Sequence, residues 1–211
     1  MTPHFAHYPS LKGAVILISG GASGIGEEIV KAAHAQAAKV AFLDIQDDAG
    51  KALAASLTGS LYLHCDLMKP DEIVKAVAQV KSKLGPVRVL VNNAANDDRR
   101  SPADIDADYW DWSMSVNLRH QFLLAKEVLP HMQSLSGGSI INFSSISWRY
   151  GADAIAAYST AKAGVIGLTR TLSRNYGPYN IRVNAIEPGA VITPKQRALW
   201  YPRQEQVDVM V

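Results

Sequence analysis

A chain of 211 residues, 48% hydrophobic and 19% charged, has the composition of a soluble globular protein with one large core, and a single domain over residues 1–211 is expected. Its 21 basic and 19 acidic residues leave a formal charge of +2 spread along the chain, which excludes the basic stripe that nucleic acid requires. One cysteine, Cys65, excludes an internal disulfide; no apolar run approaches the length of about 18 residues that spans a membrane, and Met1-Thr2-Pro3-His4-Phe5 has no secretion signal, so a cytoplasmic protein without a membrane partner is expected.

The predicted elements alternate. A β-branched run over 14–19 is followed by a helical pattern over 24–37, then strands at 39–43, 61–65 (with Cys65 buried in it), 87–91, 139–143 and 181–186, with further helices over 117–132 and 155–176. Strands such as Val87-Arg88-Val89-Leu90-Val91 and Ser139-Ile140-Ile141-Asn142-Phe143 are apolar almost throughout, as strands covered on both faces must be. The pattern specifies a doubly wound α/β fold: a parallel Rossmann-type sheet with helices on both faces. No repeat, linker or second domain interrupts it.

Between the first strand and first helix stands Gly20-Gly21-Ala22-Ser23-Gly24-Ile25-Gly26. Such glycines permit a tight turn, close backbone approach to a pyrophosphate, and close helix–strand packing, while the helix start offers free N–H groups. A plain βα turn would look the same without a ribose ligand. Asp44 ends the second strand about 20 residues on, where a carboxylate accepts from the adenosine ribose. It also repels a 2′-phosphate, and neither Ser23 nor Ile45 supplies a base to hold one; NAD is favoured over NADP.

Tyr158 and Lys162 share a helix face one turn apart, so that the ammonium can favour the phenolate and lower its pKa. The spacing alone is weak, since Tyr8 and Lys12 repeat it. Ser145, after the 139–143 strand, gives it context. Singly, Asn92-Asn93 also reads as a strand-end turn, Asn117 as a helix residue bonding its own backbone, and Ser144-Ser145 as a cap.

In chain order these pieces resemble the short-chain dehydrogenase/reductase family: Gly20, Gly24 and Gly26; Asp66-Leu67; Asn92-Asn93-Ala94-Ala95; Asn117; Ser145, Tyr158 and Lys162; Pro188-Gly189 followed by Thr193. Ser19, where Thr usually precedes the glycines, and Ala95, where Gly usually ends the turn, depart mildly. The resemblance implies that Asp66 and Leu67 meet the adenine, that Asn93, Ala94 and Ala95 line the cofactor, and that Pro188, Gly189, Val191 and Thr193 bracket the nicotinamide carboxamide. It implies Tyr158 as the base that takes a substrate hydroxyl proton, Lys162 as its electrostatic support and the partner of the nicotinamide ribose, Ser145 as donor to the substrate oxygen, and Asn117 as a link in a proton path to solvent. No metal is expected; a homodimer or homotetramer is. Members of the family continue past the position of Val211 through another helix and strand, so the last part of the usual fold is expected to be missing here.

Three segments fall at strand carboxyl ends and offer paired hydrogen bonds or indole faces to a polyol: Asn96-Asp97-Asp98-Arg99, Ile146-Ser147-Trp148-Arg149 and Gln196-Arg197-Ala198-Leu199-Trp200. With Asn117-Leu118-Arg119-His120-Gln121-Phe122 they resemble the sugar 1-dehydrogenase branch, of the D-xylose and L-arabinose type. The resemblance implies oxidation of an aldose anomeric hydroxyl to the lactone, with Asn96, Ser145, Ser147, Trp148, Arg149, Tyr158, Gln196 and Trp200 around the sugar. Alternatively, residues 97–100 are a solvated charge run and Trp148 or Trp200 belongs to an oligomer interface; Arg99 and Arg149 also fit a sugar-acid substrate, and a cofactor-sensing protein without turnover is a reading of another class.

Overall fold

The computed structural model describes residues 6–208; the Met1-Thr2-Pro3-His4-Phe5 run and Val211 lie outside them. Six strands, β1 (Val15–Ser19), β2 (Lys39–Asp44), β3 (Leu61–His64), β4 (Val89–Asn92), β5 (Gly138–Phe143) and β6 (Ile181–Ile186), form one sheet in the order β3-β2-β1-β4-β5-β6. All five pairings are parallel. Chain direction across the sheet reverses between β1 and β4, so a crevice opens at their carboxyl ends, the place where open α/β sheets bind ligands.

Period-two alternation divides the apolar side chains between two layers. Ile16 and Ile18 of β1, with Val40 and Phe42 of β2, pack toward Val30 of α1 (Gly24–Ala35) and Leu53 of α2 (Asp47–Ser56). Leu17, Leu43, Leu90 and Ile140 face the opposite side, against Ile73, Val77 and Val80 of α3 (Pro70–Leu84) and a second set of helices. Every residue of β1 is buried, as the apolar run required. In β6, at the sheet edge, burial alternates, with Ile181 and Val183 inward and Arg182 and Asn184 exposed. Cys65 is buried just after β3, and burial pushes its thiol up to about 12.

One boundary differs in a way that matters. The helix expected over 117–132 is the later part of a longer helical run: α4 (Ala107–Met114), a single π turn (Ser115–Arg119) and α5 (His120–Ser134). Asp106 starts it, its carboxylate accepting from the Tyr109 amide at 2.7 Å, and neither Pro nor Gly interrupts residues 107–119. Asn117 therefore sits mid-run, inside the π turn, where a wider backbone loop re-aims one side chain. Beyond it come α6 (Ser147–Tyr150), α7 (Ala156–Tyr176), α8 (Pro194–Leu199) and α9 (Gln204–Asp208). Among the described residues no helix is long and apolar enough to cross a membrane.

Candidate active site

The Gly-rich turn is tied down before anything binds it. Gly20 has φ +66°, which admits glycine readily, and a Cβ on Gly26 would lie 1.8 Å from the Gly20 carbonyl oxygen. Ser19, fully buried at the end of β1, accepts from the amides of Asn93 (3.1 Å) and Ala94 (3.2 Å), while the Asn93 side chain donates to the carbonyls of Ser19 and Gly20. The departure from Thr is thus harmless, because the hydroxyl is the working part. Ser23 makes no side-chain capping bond at the start of α1, so the first-turn amides are not satisfied from that side.

Asp44 does more than the sequence implied. Its Oδ2 accepts from the Ala22 amide at 2.9 Å and Oδ1 from the Gln46 amide at 3.0 Å, latching the glycine turn to the end of β2. A carboxylate offers about four lone-pair positions, so the latch leaves capacity for ribose hydroxyls. Next to it, the Ser23 hydroxyl accepts from the Gln46 side chain at 3.0 Å and Ile45 is exposed; neither presents a cation to a 2′-phosphate. The cradle fits a dinucleotide. After β3, Asp66 accepts from the Met68 amide, but the Leu67 side chain lies in the core, so the adenine contact expected at 67 is open only to its backbone. On the other side, the Pro188 carbonyl accepts from the Ile146 amide, Val191 is exposed, and Thr193 lies close enough to Gly24 that a Cβ there would meet its methyl at 3.3 Å. Segment 188–193 thus bridges the strand end bearing Ser145 and the phosphate turn.

Tyr158, in the first turn of α7, and Lys162, one turn on, converge with Ser145 after β5. Ser145 Oγ accepts from the Ser147 amide at 3.1 Å and acts on the Tyr158 phenol in the direction that favours its ionised form. Lys162, 1% exposed, lies 5.6 Å from the Tyr158 ring centre and donates to the Phe143 carbonyl at 2.8 Å. The electrostatics correct the expected order of effects. Burial pushes Tyr158 up to about 12, with Asp97 and Tyr150 adding to it and the Ser145 hydrogen bond opposing. Burial also drives Lys162 down to about 7, and at Tyr158 desolvation outweighs the lowering expected from the cation.

The Asn117 side chain neither bonds the backbone of its own helix nor points to solvent. Its Oδ1 accepts from the Asn96 amide (2.9 Å) and its Nδ2 donates to the Asn96 carbonyl (3.0 Å) and Ser113 Oγ (3.3 Å). The π turn thereby grips the loop after β4 by both sides of one peptide-like edge. Tyr8 and Lys12, the competing spacing, flank a short 3-10 turn (Pro9–Leu11), where Tyr8 is exposed.

The three substrate segments fare differently. Asn96 and Gln196 come together: Gln196 donates to Asp97 at 2.6 Å, and Lys195 lies 3.4 Å from Asn96 Oδ1. Ser147 does not face a pocket; it is buried and accepts from the Ser159 hydroxyl, because the first turn of α6 folds back on α7. Arg149 pairs with Glu187 and lies 4.5 Å over the Trp148 ring, and Arg99 lies 4.3 Å over Trp200. One face of each indole is therefore covered by a guanidinium and closed to a sugar ring.

Several residues support the site in ways their local strings do not specify. Asn92 donates to Asn142 Oδ1 at 2.8 Å, and Asn142 to Thr169, forming a buried polar ladder beneath the site. His120, fully buried, meets the Ala94 carbonyl at 3.1 Å, which requires its Nε2 to carry the proton; burial and the neighbouring Lys162 charge push it down to about 3. Ser144 donates to the Lys162 carbonyl at 2.6 Å. Only side-chain periodicity across two elements would have flagged them.

The sequence pattern of short chain dehydrogenases matches residues 14–203. A probable galactose dehydrogenase of Rhizobium meliloti is 47% identical over 205 residues, covering 95% of this chain and 80% of the relative. A D-xylose 1-dehydrogenase of Caulobacter vibrioides is 44% identical over 209 residues, covering 97% and 82%. A trans-4-hydroxycyclohexanecarboxylate dehydrogenase of Sinomonas cyclohexanicum is 40% identical over 195 residues, covering 88% and 75%. With this parallel sheet, and with matches over nearly its whole length, the chain belongs to the short chain dehydrogenase family, oxidoreductases of CH–OH donors that use a nicotinamide cofactor.

Proposed function

We propose that this protein is an NAD-dependent sugar dehydrogenase that oxidises the anomeric hydroxyl of an aldose to the lactone. The observation that carries the reading is the meeting of Tyr158, Ser145 and Lys162 at the carboxyl ends of the strands beside the dinucleotide cradle. Similarity to a galactose and a D-xylose dehydrogenase supports the substrate class. Asp44 at the cradle, without a cation on Ser23 or Ile45, supports NAD.

In this reading the bound cofactor supplies the hydride acceptor. Tyr158, as phenolate, takes the hydroxyl proton as the C1 hydride departs, and the C1–O bond becomes a carbonyl. Ser145 donates to the oxygen on which charge develops, from a position set by the Ser147 amide. Lys162 would hold the nicotinamide ribose, since its ammonium has three donors and the Phe143 carbonyl takes one. Asn117, in the π turn, holds the Asn96 backbone at the substrate end and belongs to the proton path from Lys162. Gly20, Gly24, Ile25, Gly26, Asn93, Ala94 and Ala95 form the wall on which the cofactor lies.

The test is coupled: NAD and NADP are each offered with D-xylose, L-arabinose, D-galactose and D-fucose, and reduced cofactor and lactone are measured. Lactone formed with NAD at a higher kcat/KM than with NADP supports the reading. Dinucleotide binding without turnover of any polyol supports the cofactor-sensing alternative instead.

A further inference from the structure

We propose that Asp97 is the specificity-determining residue at the substrate end of the site: its carboxylate accepts hydrogen bonds from substrate hydroxyls and turns away substrates that carry a carboxylate of their own. The inference rests on the sugar-dehydrogenase reading above and decides between its two substrate forms, aldose and sugar acid.

Three features place Asp97. The preceding residue, Asn96, has its amide and carbonyl both gripped by Asn117, so the Asp97 Cα starts from a fixed point. The Asp97 side chain is 23% exposed, half-sunk at the crevice instead of standing in solvent. Its charge acts on the Tyr158 phenol and, with Tyr150, raises it, so the carboxylate stands near the reacting end of the site. Lys162 approaches the same ring from α7, 5.6 Å away, and Ser145 from the end of β5.

The carboxylate is held but not saturated. Oδ2 accepts from Gln196 Nε2 at 2.6 Å, and Lys195 Nζ stands 3.6 Å from Oδ1. With about four lone-pair positions, two remain for hydroxyl donors. The guanidiniums that could have clamped an acidic substrate are engaged elsewhere. Arg99 stacks on Trp200 and donates to the Tyr201 hydroxyl at 3.2 Å; Arg100 pairs with Asp98 and covers Tyr109; Arg149 pairs with Glu187. Lys195 is half exposed, already faces Asp97, and is not among the charges acting on Tyr158. Among the described residues, Arg99, Arg100 and Arg149 thus each have a side-chain partner at this end.

D-Galactose and D-galacturonate share the anomeric centre and differ at C6, CH2OH against carboxylate, so their kcat/KM ratio reads the charge sense of the site. With wild-type protein and NAD, galactose is expected to be strongly preferred. Asp97→Asn should lose about 10- to 100-fold in kcat/KM for galactose, mainly through KM, the scale of one hydrogen bond to a charged group. It should raise the galacturonate-to-galactose ratio at least tenfold and move the acid limb of the galactose profile to lower pH, because one of the groups that raise Tyr158 has lost its charge. Asp97→Glu, which keeps the charge, should keep the preference for galactose even where overall activity drops, and NAD titration of each variant checks that the cradle is intact. An unchanged ratio in Asp97→Asn, with sugars still oxidised, overturns the assignment of Asp97 and leaves the sugar reading standing. A wild type that prefers galacturonate, with that preference abolished in Lys195→Met, overturns it in favour of Lys195. A wild type that binds NAD and oxidises neither compound nor any other aldose overturns the sugar reading, and the role of Asp97 with it.

Discussion

The two walls of the crevice are built by different means. On the cofactor side, Ser19, Gly20, Asn93 and Asp44 are joined by bonds to main-chain amides and carbonyls, with Ser19 fully buried and Asp44 nearly so. On the substrate side, residues 96–100 and 193–201 meet through pairs of partly exposed side chains: Asp97 with Gln196, Lys195 with Asn96, Arg99 with Trp200 and Tyr201. Main-chain partners cannot be substituted away, whereas side-chain pairs at exposed positions are worth little each and exchange readily. A fold built this way keeps its cofactor chemistry while its substrate range drifts, consistent with the different substrates named for its relatives.

The sharpest separation comes from Tyr158→Phe, which should cut kcat by about 10²- to 10⁴-fold in NADH-production assays while fluorescence titration returns an unchanged NAD affinity. Activity near wild type would remove Tyr158 from the chemistry. Gly26→Ala comes next: its Cβ cannot coexist with the Gly20 carbonyl, so a loss of about 1–3 kcal/mol in urea unfolding is expected, together with weakened NAD binding.

Lys162 tests the buried centre through pH. Its folded pKa of about 7 lies below the ordinary 10.5, so between these values the unfolded chain binds more protons and stability rises with pH. Below about 7 the buried charge is fully felt and that contribution is lost. Cys65 and Tyr62, both raised by burial, act in the opposite sense at higher pH, so the useful window is about pH 7 to 9. Thermal unfolding of wild type against Lys162→Met over that window should show the rise only in wild type. The smallest effects complete the comparison of the two walls. Ser19→Ala leaves two amides without their acceptor and should cost about 1–3 kcal/mol, whereas Arg99→Ala, on the exposed side, should cost about 0.5–1 kcal/mol. Equal losses by chemical denaturation would erase the distinction between the walls.

Much of this architecture is legible along the chain because it depends on short-range chemistry. The apolar runs of β1 and β5, the glycine turn and the one-turn spacing of Tyr158 and Lys162 are each contained in a few consecutive residues, and periodicities of 2 and 3.6 turn them into strands and a helix face. The surroundings of Ser147, Trp148 and Arg149 are illegible along the chain for the opposite reason. A string of polar and aromatic residues after a strand does not say which side chains a neighbouring element will claim, and here Ser159, Arg149 and Glu187 respectively claimed them.

Local order along the chain thus settled the parallel α/β sheet, and it carries the glycine turn and the one-turn spacing on which the proposed cofactor cradle and acid–base pair rest. What folding added lies between distant segments: the grip of Asn117 on Asn96 from a π turn 21 residues away, the Asp44 latch on Ala22 across 22 residues, and the meeting of Asp97 with Gln196 across 99. It also reversed the sign of the Tyr158 environment, because burial depends on what the whole chain packs around a phenol, and desolvation there outweighs the charge placed one helical turn away.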